Sequence, residues 1–152
     1  MPKLQLRVFT SEIIKLDEPV DMVISRCITE DMGPRSAVGD LGILPGHMPL
    51  QALLGISPLR IISDGTERMM AVFGGIIKVK DNVVTVVTER ALWPEEIDRA
   101  QVEAFHRDLE RAQEAAQDDA ELRRNQIALR RALVQMEVST YPLVGNRFRK
   151  EE

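Results

Sequence analysis

Between Leu4 and Thr88 the chain alternates apolar and polar positions in short runs. Leu4, Leu6 and Val8 alternate with Gln5, Arg7 and Phe9, and Val20, Met22 and Ile24 with Asp21, Val23 and Ser25. Leu59 and Ile61 follow Pro58. The run Met69–Phe73 precedes the pair Gly74-Gly75, Ile76–Lys80 runs on to Asp81-Asn82, and Val83–Thr88 follows. Period-two runs rich in β-branched residues, broken by turn residues, predict an antiparallel β-sandwich or barrel. Asp64-Gly65 and Asp81-Asn82 are two-residue hairpin signals.

The period changes near Trp93. Pro94-Glu95-Glu96 places proline and two acids where a first helical turn tolerates a missing N–H and favours negative charge. Ile97, Ala100, Ala104, Phe105, Leu109, Ala112 and Ala116 then recur at spacings of three and four, which is one apolar helix stripe. Gln117-Asp118-Asp119 interrupts it, and either aspartate suits a second cap. Leu122, Ile127, Leu129, Leu133 and Met136 carry a second stripe. Tyr141-Pro142 and Gly145-Asn146 read as its end. The predicted architecture is an N-terminal antiparallel β-sandwich over 1–91, a C-terminal antiparallel two-helix hairpin over 92–138 and a flexible tail over 139–152. An alanine-rich stripe packs closely but buries little area, so the hairpin is expected to be held weakly to its surroundings.

The rest of the composition mostly excludes. The 152 residues carry a net charge of −4 with acids and bases mixed, and only 4% are aromatic, which argues against a nucleic-acid partner. One cysteine, Cys27, cannot form an internal disulfide and reads as a small buried hydrophobe in a strand. Met1–Arg7 lacks the apolar core of a signal peptide, and no apolar run nears the ~20 residues of a membrane helix, so a cytosolic or peripherally attached chain is expected. Two histidines, His47 and His106, one of them on a helical segment, are too few for a barrel metal enzyme. No G-x-S-x-G or other catalytic trio stands out. A free-standing adaptor whose hairpin binds a partner helix remains as an alternative.

The most specific segment is Asp40-Leu41-Gly42-Ile43-Leu44-Pro45-Gly46-His47-Met48-Pro49-Leu50. Its glycines and prolines predict a tight, shaped loop holding Asp40 and His47. For His47 the readings are a ring nitrogen tying down loop backbone, contact with a partner, or a metal site, the last disfavoured because a metal needs several ligands and the other histidine, His106, lies on the helical segment. The segment resembles the acid-L-G-I-x-P-G-H-x-P-L signature of bacterial F-type ATP synthase epsilon subunits. Gly74-Gly75-Ile76-Ile77-Lys78-Val79, Asn82–Val87, Thr88-Glu89-Arg90-Ala91 and Glu95-Glu96-Ile97-Asp98 are similar to that family's later landmarks, in order.

The resemblance implies a non-catalytic central-stalk subunit coupling a gamma shaft to a membrane c-ring, peripheral on the cytoplasmic face of the bacterial plasma membrane. By the same resemblance Asp40, Gly42, Pro45 and His47 form the c-ring contact loop, after a segment 29–39 longer than the family's usual spacing. The hairpin would inhibit ATP hydrolysis when extended toward the α and β subunits, with Arg123, Arg124, Arg130 and Arg131 as a basic docking set; a solvated helix face is the plain alternative. Arg123, Arg130 and Arg131 are expected to share part of one face. Some relatives bind ATP through an I/L-D-x-x-R-A motif. Here Ile97 and Asp98 match, whereas Gln101 and Val102 stand in place of the arginine and alanine, so no nucleotide or other cofactor is expected.

Overall fold

A computed structural model describes residues 2–28 and 37–145. Eight strands come first: β1 Leu4–Phe9, β2 Ile14–Val20, β3 Met22–Ile28, β4 Ala37–Ile43, β5 Leu50–Ser63, β6 Thr66–Lys80, β7 Val83–Val87 and β8 Ala91–Leu92. A 3-10 turn over Pro94–Glu96 leads into α1, Arg99–Ala115, and α2, Asp119–Gly145. The sheet runs in the order β2-β1-β7-β6-β5-β3-β4, with β8 beside β6. The pairings are antiparallel, as expected for the sandwich, except that of β1 with β7, which is parallel. The β6–β7 hairpin delivers β7 beside β1 in that direction.

The period-two pattern does its work inside the sheet. Leu4, Leu6 and Val8 join Val20, Val23, Ile43, Leu59, Ile61, Met70, Val72, Ile77, Val84 and Val86 in one core, each fully out of solvent. Cys27 packs against that core, and Ser25 lies buried next to it with Oγ 3.6 Å from Sγ. Both hairpin signals are turns of the type the sequence demands: Asp64 and Gly65 have φ of 52° and 76°, Asp81 and Asn82 of 50° and 62°.

The runs on either side of Gly74-Gly75 belong to one 15-residue strand. Before the glycines, Met69, Ala71 and Phe73 face outward; beyond them, Ile76, Lys78 and Lys80 do. The glycines, at φ 77° and 120°, absorb that change of side. A Cβ on Gly75 would lie 1.9 Å from the Val87 carbonyl oxygen, so only glycine lets β6 approach β7 there.

The hairpin forms as expected at its start and differs at both boundaries. Asp98 caps α1, accepting from the Gln101 amide at 3.3 Å; of the two aspartates at the join, Asp118 caps α2, accepting from Glu121 at 2.7 Å. The β-domain does not end at 91. Ala91 and Leu92 pair with β6, Arg68 sits over the Trp93 ring, and Lys15 bonds Glu96 at 2.5 Å. The sandwich therefore holds the chain as far as Glu96, and Ile97 follows with its amide closed onto the Pro94 carbonyl at 3.2 Å. At the other end α2 continues through Tyr141-Pro142 to Gly145, so the expected tail over 139–152 is helical to 145 and otherwise lies outside the described residues. Pro142 removes a single intrahelical bond, which a 27-residue helix accommodates. No helix is long and apolar enough to cross a membrane among the described residues.

Candidate protein interface

The glycine- and proline-rich segment splits into a strand and a loop. Asp40 and Gly42 lie in β4, not in a loop as expected. Both project from its outer face because Leu41 and Ile43 take the inner one. Asp40 pairs with Arg26 across β3 at 3.4 Å, and a Cβ on Gly42 would meet the Met22 methyl at 2.9 Å. Ala37, Val38 and Gly39 likewise belong to β4; the remainder of the long connection, 29–36, lies outside the described residues. The loop proper is 44–49. Pro45-Gly46 turns it, the His47 amide closes it onto the Leu44 carbonyl at 3.1 Å, and the Gly46 amide donates to Asn82 Oδ1 at 2.7 Å. Asn82 thus ties the loop to the β6–β7 turn. His47 Nδ1 donates to the Met48 carbonyl at 2.7 Å, so the ring fastens loop backbone.

What the loop presents is apolar. Leu44 is 54% and Met48 78% exposed. Sequence reasoning chose Asp40, Gly42, Pro45 and His47 and missed both. The structure groups Pro45 and His47 with them and sets Asp40 about 10 Å back along the strand, at ~3.3 Å per residue from Ile43. The available signal was that Leu44 and Met48 are the large apolar residues of a segment whose glycines and prolines forbid burial in a regular strand.

A second exposed apolar feature runs across the strands. Register pairs Ile14 with Phe9, Phe9 with Val87, Val87 with Ile76, and Ile76 with Leu53. Ile14, Val87 and Ile76 are 57%, 52% and 41% exposed, and Ile13 beside them 56%. The next outward row is polar: Asp17, Arg7, Thr85, Lys78 and Gln51. Each strand shows only an apolar residue near one end, so the row exists only once pairing is known.

α2 lies on the sandwich through its C-terminal half. Val134 and Val138 pack with Met69, Ala71, Phe73 and Leu92, and Ile56 and Ile97 line the edge. Arg131, one helical turn earlier, reaches Glu89 at 3.0 Å and holds its guanidinium 5.7 Å from the Phe73 ring centre. The two buried valines contribute about 3–6 kcal/mol. Within the hairpin, Gln113 Oε1 and Asn125 Nδ2 are buried with no hydrogen-bond partner among the described residues, and α1 buries no residue fully. Such orphaned polar atoms cost about 1–3 kcal/mol each when dry, so the attachment is modest beside the sandwich core.

The basic set divides. Arg123, Arg124 and Arg130 are exposed, while Arg131 turns to the sandwich, because adjacent residues lie ~100° apart around a helix. Arg131 therefore does not share an exposed face with Arg123 and Arg130 in this arrangement. In the nucleotide-motif segment Ile97 packs against the helix-covered cluster and Asp98 is spent as the α1 cap. Gln101 is exposed and Val102 half-buried. No three of His, Cys, Asp and Glu converge as a metal cluster among the described residues. His106 Nδ1 instead meets Glu110 one turn along α1 at 2.8 Å.

Burial alone pushes the Glu96 carboxyl up, but the Lys15 ammonium, the Trp93 amide and the charge of Arg90 together outweigh it and hold that carboxyl below the ordinary 4.5. On the far side of the sandwich the Asp64 amide, with Lys3, holds Asp21 below its ordinary value.

A β-sandwich carrying a two-helix hairpin, with exposed apolar residues on its loop and sheet, is an arrangement that offers surfaces to other chains. Residues 3–94 match the family model of the ATP synthase delta/epsilon chain, beta-sandwich domain. The chain belongs to that family. It is 32% identical over 139 residues to the ATP synthase epsilon chain of Caldicellulosiruptor bescii, covering 91% of this chain and 95% of that one. It is 35% identical over 136 residues to the epsilon chain of Herpetosiphon aurantiacus, covering 90% and 93%. Among solved structures, a chain of the Euglena gracilis mitochondrial ATP synthase OSCP/F1/c-ring assembly superposes with a TM-score of 0.74 at 25% identity, over 89% of this chain and 79% of that one. A chain of the Tetrahymena thermophila mitochondrial ATP synthase central stalk/c-ring has a TM-score of 0.56 at 15% identity and shares the fold.

Proposed function

We propose that this protein is the non-catalytic central-stalk subunit of an F-type ATP synthase, coupling the gamma shaft to the c-ring during ion-driven ATP synthesis. The observation that carries the reading is identity of about one third with ATP synthase epsilon chains over nine-tenths of the chain, hairpin included. The sandwich is the rigid coupling body. Its loop 44–49, fastened by His47 and Asn82 and tipped by Leu44 and Met48, suits contact with the c-ring. Asp40, paired with Arg26, borders that contact. The subunit sits peripherally on the cytoplasmic face of the membrane, held there by the complex.

The hairpin is the regulatory part. Its attachment through Val134, Val138 and Arg131 is small enough to be exchanged for another site, and Arg123, Arg124 and Arg130 stay available to an acidic surface of the β and α subunits. In this reading the hairpin extends and slows ATP hydrolysis without binding nucleotide, since Asp98 is engaged as a cap and Gln101 supplies no cation. The test is hydrolysis by the purified ATPase complex with the subunit full-length or ended after Ile97, which keeps the turn bound to Lys15. A several-fold rise on truncation supports an inhibitory hairpin; unchanged hydrolysis with the shortened subunit still assembled refutes it. Micromolar ATP binding to the isolated protein by calorimetry refutes the nucleotide-independent reading.

A further inference from the structure

The seam between α1 and α2 is built in layers. On α1 the half-buried positions Val102, His106, Leu109, Gln113 and Ala116 recur at spacings of four and three. On α2 Leu122, Asn125, Leu129, Ala132 and Met136 do the same. Each set is a continuous stripe on its helix. The helices pack on each other and are joined over 116–118, so they run antiparallel. The stripes then pair from Ala116–Leu122 beside the join to Val102–Met136 at the far end, with Gln113–Asn125 as the second layer. Ala132 fits that pairing. It is 1% exposed yet belongs neither to the sandwich core nor to the cluster under α2, so α1 is what covers it.

That second layer is polar on both sides. Gln113 Oε1 is an acceptor and Asn125 Nδ2 a donor, and each is buried without a hydrogen-bond partner among the described residues. A turn of either terminal amide, or one bridging water, joins them. Left unpaired, such groups cost free energy that an apolar pair of similar size would not. What a buried polar layer supplies in a helix seam is register. Slide α2 by one layer and Gln113 meets Leu129 or Leu122, while Asn125 meets Ala116 or Leu109. The observed register also keeps three wholly apolar layers, Ala116–Leu122, Leu109–Leu129 and Val102–Met136. Either slid register keeps one, Leu109–Ala132 or Val102–Ala132.

Register matters because α1 is rooted on the sandwich through Glu96 and Ile97. Its alignment with α2 therefore decides where α2 lands. One layer is three or four residues, about 5 Å along the axis. That slide would carry Arg131 away from Glu89, now 3.0 Å distant, and Val134 and Val138 off Met69 and Phe73. We infer that Gln113 and Asn125 are a register lock, a hydrogen-bonded amide layer that positions α2 for its seat on the sandwich. The lock belongs to this chain's own hairpin and stands whether or not the central-stalk reading does.

The experiment uses the full chain with Cys27→Ala and one cysteine pair at a time in the layers far from the join. Val102→Cys with Met136→Cys reads the observed register. Val102→Cys with Ala132→Cys, and His106→Cys with Met136→Cys, read the two slid ones. With both amides present, the first pair is expected to form its disulfide at least 10-fold faster than the other two; no preference overturns the layer assignment. With Gln113→Leu and Asn125→Leu together, circular dichroism is expected to hold, because leucine is a strong helix former. The slid pairs are then expected to gain several-fold on the first. An undiminished preference in that leucine chain overturns the lock. Side-chain amide exchange in the parent chain reads the pairing without any leucine variant. The Asn125 Nδ2 protons are expected to exchange at least 10-fold more slowly than those of exposed Gln126, and to lose that protection in Gln113→Ala. Exchange as fast as that of Gln126, or protection that survives Gln113→Ala, overturns the pairing and the lock with it.

Discussion

Gly75→Ala is the most demanding perturbation of this fold. A methyl there would sit 1.9 Å from the Val87 carbonyl oxygen, 2.9 Å from its carbon and 3.0 Å from Thr88 Cα. All three are backbone atoms of β7 and its exit, so no side chain can swing aside. The φ of 120° also lies outside the range that an alanine occupies without strain. Conformational strain costs about 1–3 kcal/mol. Forcing the strands apart adds about 1–3 kcal/mol more. The expected loss is therefore about 2–6 kcal/mol, a large part of the 5–15 kcal/mol that ordinarily holds a domain together. Gly74→Ala is the internal control. Its φ of 77° is also left-handed, but the nearest atom to an added Cβ, the Leu54 carbonyl oxygen, is at an ordinary 3.6 Å. Its cost is about 1–2 kcal/mol. Urea denaturation of both variants, followed by far-UV circular dichroism, compares them directly. If Gly75→Ala is no more destabilising than Gly74→Ala, the close approach of β6 to β7 is not what requires glycine.

Other consequences follow at the hairpin and its root. Removing Arg131 or Glu89 should loosen α2 from the sandwich, with a coupling between the two of under about 1 kcal/mol that shrinks as salt is raised; hydrogen exchange of the amides over 132–138 reads it, and equal exchange in parent and Arg131→Ala chains would discard the tie. Glu96 is held below its ordinary 4.5, so its contribution is present above that value and disappears as pH falls through the depressed one. Glu96→Gln should therefore lower the urea midpoint at pH 7, by a margin that shrinks as the pH falls below 4.5; a gap that stays undiminished in acid would contradict the assignment. Asp118→Ala removes the α2 cap at a cost of about 1 kcal/mol, seen as faster exchange in the first turn of that helix.

The sequence by itself determined the elements that rest on short-range physics. Alternation set the inner face of Leu4–Phe9, because successive strand residues point to opposite sides; in Met22–Ile28 it pointed to Met22 and Ile24, whereas Val23 and Ser25 are the buried residues. Asp64-Gly65 and Asp81-Asn82 marked their hairpins, because few residues tolerate positive φ. The three- and four-residue stripe after Trp93, with aspartates before it and at the join, marked two capped helices. The tight turn at Pro45-Gly46 was legible for the same local reason, and the order of four motifs pointed to the family.

Tertiary structure decided what depends on register and on distant partners. Alternation continues equally well through a loop candidate and a strand, so Asp40 and Gly42 read as loop until Arg26 and Met22 were found beneath them in the sheet. Phe9, Val87, Ile76 and Leu53 are far apart in the chain and form a surface only because the pairing lines them up. Arg131 looked like its basic neighbours until Glu89 and Phe73 drew it to the sandwich. The domain boundary moved from 91 to about 97 because Lys15, 81 residues earlier, holds Glu96. The physical reason is common to all four: local propensity chooses the conformation of a segment, while charge pairs, cross-strand neighbours and close backbone approaches are made between residues whose separation in sequence carries no signal.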